Sequence, residues 1–226
     1  ANEHTTLAEI AAADAYPHIR IFSVGHRTSS ATPLRDLQTV WEPWQVASRA
    51  TIAKDFTPHS HLFATFSAVC WHFGKSLSDR LAARGSVVPL GLVSNNWGGT
   101  KLEMWAPATV FDECGVSPPP QPLGGPMWNA MILPYAAGPM ALSGFVWYQG
   151  EADTATTATA ALYRCTFPKM IGAWRDAFRQ PTAFFGFVQL STWCGGGELA
   201  EALPAMRDAQ MGAAALHGVA YATNAD

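Results

Sequence analysis

The sequence predicts an α/β domain built on a parallel sheet, and three observations carry that expectation. Short runs of β-branched and aromatic residues alternate with longer amphipathic runs, the pattern of strands joined by crossover helices. The 226 residues are 49% hydrophobic and 14% charged, a composition suited to one compact domain with a sizeable core. Polar, glycine-containing segments follow two of the apolar runs abruptly, as binding loops at strand ends do.

Four stretches read as strands: His18 to Val24, Val87 to Asn95, Ala141 to Gln149 and Thr182 to Leu190, with a shorter fifth at Gly218 to Thr223. Leu62 to Leu81 places Phe63, Phe66, Val69, Cys70, Phe73 and Leu77 so that one apolar stripe runs along a helix. Thr159 to Phe178 repeats this with Leu162, Cys165, Phe167, Met170, Ile171, Trp174 and Phe178, and Pro168 inside it predicts a kink or a break. Leu199 to Met211 reads as a further helix broken at Pro204. Val24 to Pro58, rich in Thr, Ser and Trp, and Glu113 to Pro126, with its run SPPPQPLGGP, read as long loops. No internal repeat or low-complexity linker divides the chain, so residues 1–226 are expected to form a single domain.

A formal net charge of −3, with Lys and Arg scattered, leaves no basic stripe for a phosphate backbone, and nucleic acid is not an expected partner. The longest apolar stretch, Pro134 to Tyr148, is interrupted by Gly138, Pro139, Ser143 and Gly144 and is shorter than the roughly 20 residues a spanning helix needs. The segment ANEHTTLAEI has neither the basic start nor the continuous apolar run of a secretory signal. Cys70, Cys114, Cys165 and Cys194 lie far apart, without a CxxC pair or a histidine at ligand spacing, so no metal site is expected. Cys70 and Cys165 fall in the helical stretches and are expected to be buried free thiols, since spacing alone does not supply the paired geometry of a disulfide.

Two segments could carry chemistry. Ser94, Asn95, Asn96, Trp97, Gly98, Gly99 and Thr100 cap the carboxyl end of the second strand, where ligands of open parallel sheets bind. Paired glycines let backbone N–H groups point at a developing oxyanion, and a plain glycine turn is the competing reading. Trp147, Tyr148, Gln149, Gly150 and Glu151 end the third strand; the Gln149 amide can donate to an oxyanion, and the Glu151 carboxylate can orient neighbours by accepting hydrogen bonds. His59 and His61 lack an acidic or third histidine partner nearby and read as a solvated loop. Ser94 is not set in a GxSxG elbow. Trp41, Trp44, Trp71, Trp105, Trp128 and Trp193 read as packing residues before sugar platforms.

The segments PHIRIFSV, PWQVAS, FSAVCWHFGKSL, LGLVSNNWGGTKLEMW, MWNAMILPY, GFVWYQGE, LYRCTFPKMIGAWRDAF, FGFVQLS and LPAMRDAQ, in this order, resemble the sialate O-acetylesterase family, a branch of the SGNH hydrolases. The resemblance implies a flavodoxin-like three-layer α/β/α sandwich with a parallel sheet, here incomplete at both ends. It implies hydrolysis of acetyl esters on sugar hydroxyls, typically those of sialic acids, with no metal or organic cofactor. The family's nucleophilic serine lies in a GQSN motif expected upstream of Ala1, and its histidine, in an Asp-x-x-His block, downstream of Asp226. This chain alone is then expected to be inactive.

By the same resemblance Gly98 and Gly99 match the block whose backbone amide helps to form the oxyanion hole, without distinguishing which of the two donates. Gln149 matches the side-chain donor, Glu151 its orienting acidic neighbour, and Asn129 a position near the site; Asn96, Trp97 and Asn129 are the candidate substrate-binding residues. O-acetylated sialic acid or another acetylated glycan is the implied partner, and the oligomeric state is left open. An esterase acting on another glycan such as acetylxylan, and a non-catalytic glycan-binding module, are the alternatives. A lysosomal or secreted location follows by analogy, although the chain has no N-x-S/T sequon and Arg164 stands where animal relatives commonly have Asn before the cysteine.

Overall fold

The structure is a computed structural model that describes residues 3–25, 28–55, 65–116, 125–138, 140–192 and 198–223. Its chain forms two compact units, residues 1–27 with 38–98 and residues 28–37 with 99–226.

The first unit contains α1 (Glu3–Ala12), β1 (Ile19–Val24), β2 (Val40–Val46), α2 (Ala68–Ala83) and β3 (Leu90–Ser94), with the sheet ordered β2-β1-β3. β1 and β3 are parallel, Ile19 opposite Leu90 and Ser23 opposite Ser94. Ile19, Ile21 and Leu92 meet Phe66, Trp71, Ala47 and Ile52 in the core. β2 corrects the expected loop from Val24 to Pro58. It pairs antiparallel with β1, and its register shifts between Ile21 and Val24. The sequence hid it because Pro43 and Glu42 interrupt the run VWEPWQV; an edge strand tolerates a proline that a central one would not. Glu42 is fully buried, accepting from Ser23 Oγ at 3.2 Å and Gln45 Nε2 at 2.6 Å, and burial pushes its carboxyl pKa up.

α2 begins at a Ser67 cap whose side chain accepts from Cys70 N, and the predicted residues 62–64 lie outside the described residues. The predicted apolar face is also corrected. Val69 and Phe73 are exposed, and Trp71 and Gly74 are the buried pair. A Cβ at Gly74 would stand 2.4 Å from Leu92 Cδ1, so the missing side chain is what lets the helix close on β3. Periodicity of large residues cannot reveal a face organised around a glycine.

The second unit contains α3 (Ala108–Glu113), a π-wound turn at Trp128–Ile132 running into α4 (Leu133–Ala137), β4 (Gly144–Trp147), α5 (Thr157–Ala177), β5 (Phe184–Gln189), α6 (Glu198–Gln210) and β6 (Val219–Thr223). Its sheet, ordered β4-β5-β6, is parallel throughout. The expected α/β class therefore holds, and the strands predicted from apolar runs are found, trimmed at their ends. α5 packs aromatic side chains on the sheet, Phe167 lying 5.9 Å from Phe185 and 5.3 Å from Phe187, centroid to centroid. α5 and α6 run through Pro168 and Pro204 without the break predicted at Pro204 and offered, beside a kink, at Pro168. For α5 the reason is burial: Phe167, Met170 and Ile171 are fully buried. Each contributes about 1.5–3 kcal/mol, against about 3 kcal/mol for an internal proline. A reciprocal cap between Thr156 and Thr159 closes the helix start.

Cys165 is not the free thiol expected: it is bonded to Cys114 and joins α5 to the end of α3. Cys70 is free, and burial pushes its thiol up to about 12. Cys194 lies outside the described residues. Of the tryptophans, Trp71, Trp105 and Trp128 are buried as packing residues, Trp44 is 45% exposed, and Trp193 lies outside the described residues.

Candidate active site

In the first unit, the chain leaves β3 through a buried Ser94 whose Oγ lies 2.6 Å from Asn96 Nδ2, which donates to it. Ser94 is thus held as an acceptor in a local turn. Asn96 and Trp97 are half-buried, and Gly98, the last residue of the unit, is exposed.

The second unit opens with Gly99 in the left-handed backbone region, at φ +76°. An added Cβ there would meet nothing within 4 Å, so glycine is demanded by the backbone and not by space. Gly99→Ala is expected to cost about 1–2 kcal/mol, read as a lower urea midpoint. An unchanged midpoint would show that the turn relaxes freely.

Gln149 lies two residues beyond the last residue of β4 and is 9% exposed. Its orientation follows from a one-way chain of donors. Trp147 Nε1 can only donate, and it gives its hydrogen to Tyr163 Oη at 2.9 Å. Tyr163, buried so that its phenol is pushed far up and stays neutral, donates in turn to Gln149 Oε1 at 2.9 Å. The amide must therefore present its NH₂ the other way, where it donates to Thr100 O at 2.9 Å and Asp153 Oδ2 at 2.6 Å. Leu102 N donates to the same Asp153 oxygen at 3.1 Å. Trp105 Nε1 fixes Thr100 Oγ1 at 2.8 Å, and Gln210 Nε2 holds Gln149 O at 3.2 Å. The segment Gly99 to Leu102 and the end of β4 are thus tied through one amide.

The structure separates the other expected residues by role. Asn129 is 2% exposed; its Nδ2 donates to Ser30 O at 3.1 Å and its carbonyl accepts from Leu34 N at 3.0 Å, so it braces the segment 28–37. Glu151 is exposed and lines a cavity of about 170 Å³ with Tyr148, Thr154, Leu190, Ser191, Thr192 and Leu203. That cavity sits beyond the carboxyl ends of β4 and β5, where open parallel sheets bind ligands. Gly150, at φ +140°, turns the chain into it, and a side chain there would press on Leu190 at 3.1 Å. His59 and His61 lie outside the described residues.

Sequence reasoning missed Asp153, Glu103 and Tyr163. Asp153 is 5% exposed, and burial pushes its carboxyl up to about 7. The N–H groups of Gln149 and Leu102 oppose that rise, and the charge and hydrogen bond of Glu103 reinforce it. The signal available was an acid two residues past Glu151 in the run QGEAD, but its partner Leu102 is 51 residues away in sequence. Among the described residues no group of three His, Cys, Asp or Glu is placed to hold a metal, and no helix is long and apolar enough to cross a membrane.

Comparisons with known proteins agree with this architecture. A family model described as carbohydrate esterase, sialic acid-specific acetylesterase, matches residues 36–226. Human sialate O-acetylesterase is 36% identical over 200 residues, covering 81% of this chain and 35% of its own. The enzyme of Rattus norvegicus is 34% identical over 228 residues, covering 82% of this chain and 39% of its own. The chain therefore spans a little over a third of the length of these curated relatives. A crystal structure of a carbohydrate acetylesterase from Xanthomonas citri superposes with a TM-score of 0.74 at 30% identity, over 96% of this chain and 44% of that one. A protein from Arabidopsis thaliana shares the fold, with a TM-score of 0.57 at 17% identity. With the family model spanning all but the first 35 residues, and with the α/β frame and a buried glutamine at the strand end in place, the chain belongs to the carbohydrate esterase family of sialic acid-specific acetylesterases.

Proposed function

We propose that this chain supplies the oxyanion-stabilising part of a serine-dependent carbohydrate O-acetylesterase, with the nucleophilic serine and the histidine base contributed by segments outside it. The observation that carries the reading is the fixed amide of Gln149, whose NH₂ is held facing the backbone that follows Gly99.

An acetyl ester attacked by a serine hydroxyl passes through a tetrahedral intermediate in which the former carbonyl oxygen is negative. Donors already in place stabilise that charge without reorganising during the reaction. Gly98 or Gly99 would give a backbone N–H and Gln149 a side-chain N–H. In the free protein both Gln149 hydrogens are engaged, by Thr100 O and Asp153 Oδ2. The donor role therefore requires the oxyanion to take the place of Thr100 O as the ester binds, while Tyr163 and Asp153 keep the amide in its orientation. The Cys114–Cys165 bond supports the oxidising, lysosomal or secreted setting expected by analogy.

The substrate class inferred from the family is an O-acetylated sialic acid. A neutral acetylated glycan is the alternative substrate class. Steady-state kinetics of the full-length gene product on an O-acetylated sialic acid and on acetylxylan test both. A preference of tenfold or more for the O-acetylated sialic acid supports the sialate class, and a preference of tenfold or more for acetylxylan supports the neutral class. A folded full-length protein that releases acetate from neither would refute the esterase reading.

A further inference from the structure

We propose that Asp153 is a positioning residue whose carboxyl, joined to Glu103 through a shared proton, holds Gln149 and the Thr100–Leu102 backbone in register. This rests on the oxyanion reading of Gln149 and deepens it. One oxygen of Asp153 takes both N–H groups, from Gln149 Nε2 at 2.6 Å and Leu102 N at 3.1 Å. Glu103, from the turn Leu102–Trp105, lies within hydrogen-bonding range of the same carboxyl. Glu103 Oε2 is buried and receives no hydrogen bond from a donor among the described residues.

Two carboxylates side by side in a dry site repel each other and are both poorly solvated, whereas one proton between them turns the pair into a hydrogen bond. That proton satisfies the orphaned Glu103 oxygen and leaves the opposite face of Asp153 free to accept from Gln149 and Leu102. The titratable groups around Asp153 are Glu103 on the preceding turn, Glu151 on its own turn and Tyr163 on α5, and none of them can bring a positive charge. The rise of the Asp153 carboxyl to about 7 fits this arrangement. On loss of the proton the pair is driven apart. Asp153 and the turn carrying Leu102 cannot both hold their places, and the Gln149 amide loses the partner that fixes its NH₂.

The sign follows from a folded-state pKa raised above the unfolded one. The stabilisation is fully present below about pH 4, the ordinary aspartate range, and is lost as pH rises to the native value. Asp153→Asn mimics the protonated acid: its amide oxygen accepts from Gln149 and Leu102 and its NH₂ donates to Glu103.

The experiment uses the full-length gene product. Urea midpoints of the wild type and Asp153→Asn should diverge as pH rises from about 4 to about 7 and then run parallel, the variant lacking the fall. At pH 6, Asp153→Ala should lower kcat about tenfold or more with KM within about twofold, because a misplaced donor is felt mainly in the transition state. Asp153→Asn should restore kcat to within about threefold of the wild type and remove a decline that the wild type shows above about pH 7. Glu103→Gln, whose amide can donate to an ionised Asp153, should also remove that decline and serves as the second variant if Asp153→Ala does not fold. Parallel wild-type and Asp153→Asn stability curves across this range would overturn the shared proton. A folded Asp153→Ala with wild-type kcat would overturn the positioning role. The stability curves do not depend on catalysis, so a protein in which they diverge but Gln149→Ala leaves kcat unchanged keeps the carboxyl pair and loses the oxyanion reading.

Discussion

Gln149→Ala in the full-length gene product is expected to lower kcat by about 10² to 10³ fold with little change in KM, equivalent to about 2.7–4 kcal/mol of transition-state stabilisation. A donor aimed at a developing oxyanion acts on the transition state more than on the bound ester, so the loss falls on kcat. The structure adds a second route to the same loss. Removing the amide takes one hydrogen bond each from Thr100 O, Asp153 Oδ2 and the hydroxyl of Tyr163, all of them buried, and the segment Gly99–Leu102 loses its tie to β4 through that amide.

Gln149→Glu tests the same position with a carboxylate in place of the donor. It keeps an acceptor for Tyr163 but puts a carboxylate where two donors stood, facing the Asp153 carboxyl, and should cost at least as much activity as alanine. Circular dichroism and urea unfolding establish that each variant is folded before its kinetics are read. A folded Gln149→Ala protein with unchanged kcat on an O-acetylated sugar would remove Gln149 from the oxyanion hole and leave the donor role to Gly98, Gly99 and the serine's own amide.

The legible parts of this molecule were those written in consecutive residues. LGLVS, GFVW and FFGFVQ are apolar runs of strand length, and each became a strand. Gln149 stood out because a polar residue followed such a run without a transition. β2 did not, because Glu42 and Pro43 contradict strand propensity, and the pairing with β1, the donors Ser23 and Gln45 and the charge of Lys54 make the buried glutamate tolerable. Asp153 and Tyr163 were illegible for a related reason. Their roles depend on Leu102, Trp147 and Gln149, residues brought near by the fold at separations that no local pattern encodes. Pro168 shows the opposite failure, a strong local rule overridden by the burial of Phe167, Met170 and Ile171.

Cys165 was misread by the same logic, since a cysteine on an apolar helical stripe looks like core until its partner is located. Replacing Cys114 and Cys165 together by serine is expected to lower stability by about 4 kcal/mol, within a range of about 2–5 kcal/mol, because the bond closes a loop of 51 residues in the unfolded chain. The native-state consequence should be local. α3 has six residues, too few to persist as a helix without tertiary support. Val110 and Phe111, each 2% exposed, pack its inner face, and the ion pair of Lys169 with Glu113 at 2.6 Å is half exposed and adds little. The cysteine bond is the covalent tie between this short helix and α5, whose Tyr163 orients Gln149 two residues before Cys165. Urea unfolding of the full-length protein with and without reductant should show a lower midpoint on reduction, and the double serine variant should match the reduced wild type in both conditions. Cys70 is half-buried with its thiol held protonated, so it should react little under native conditions. A midpoint unmoved by reduction, in a protein whose peptides bearing Cys114 and Cys165 are shown by mass spectrometry to have separated, would mean that packing of Val110 and Phe111 alone secures α3 and that the bond contributes nothing to the fold.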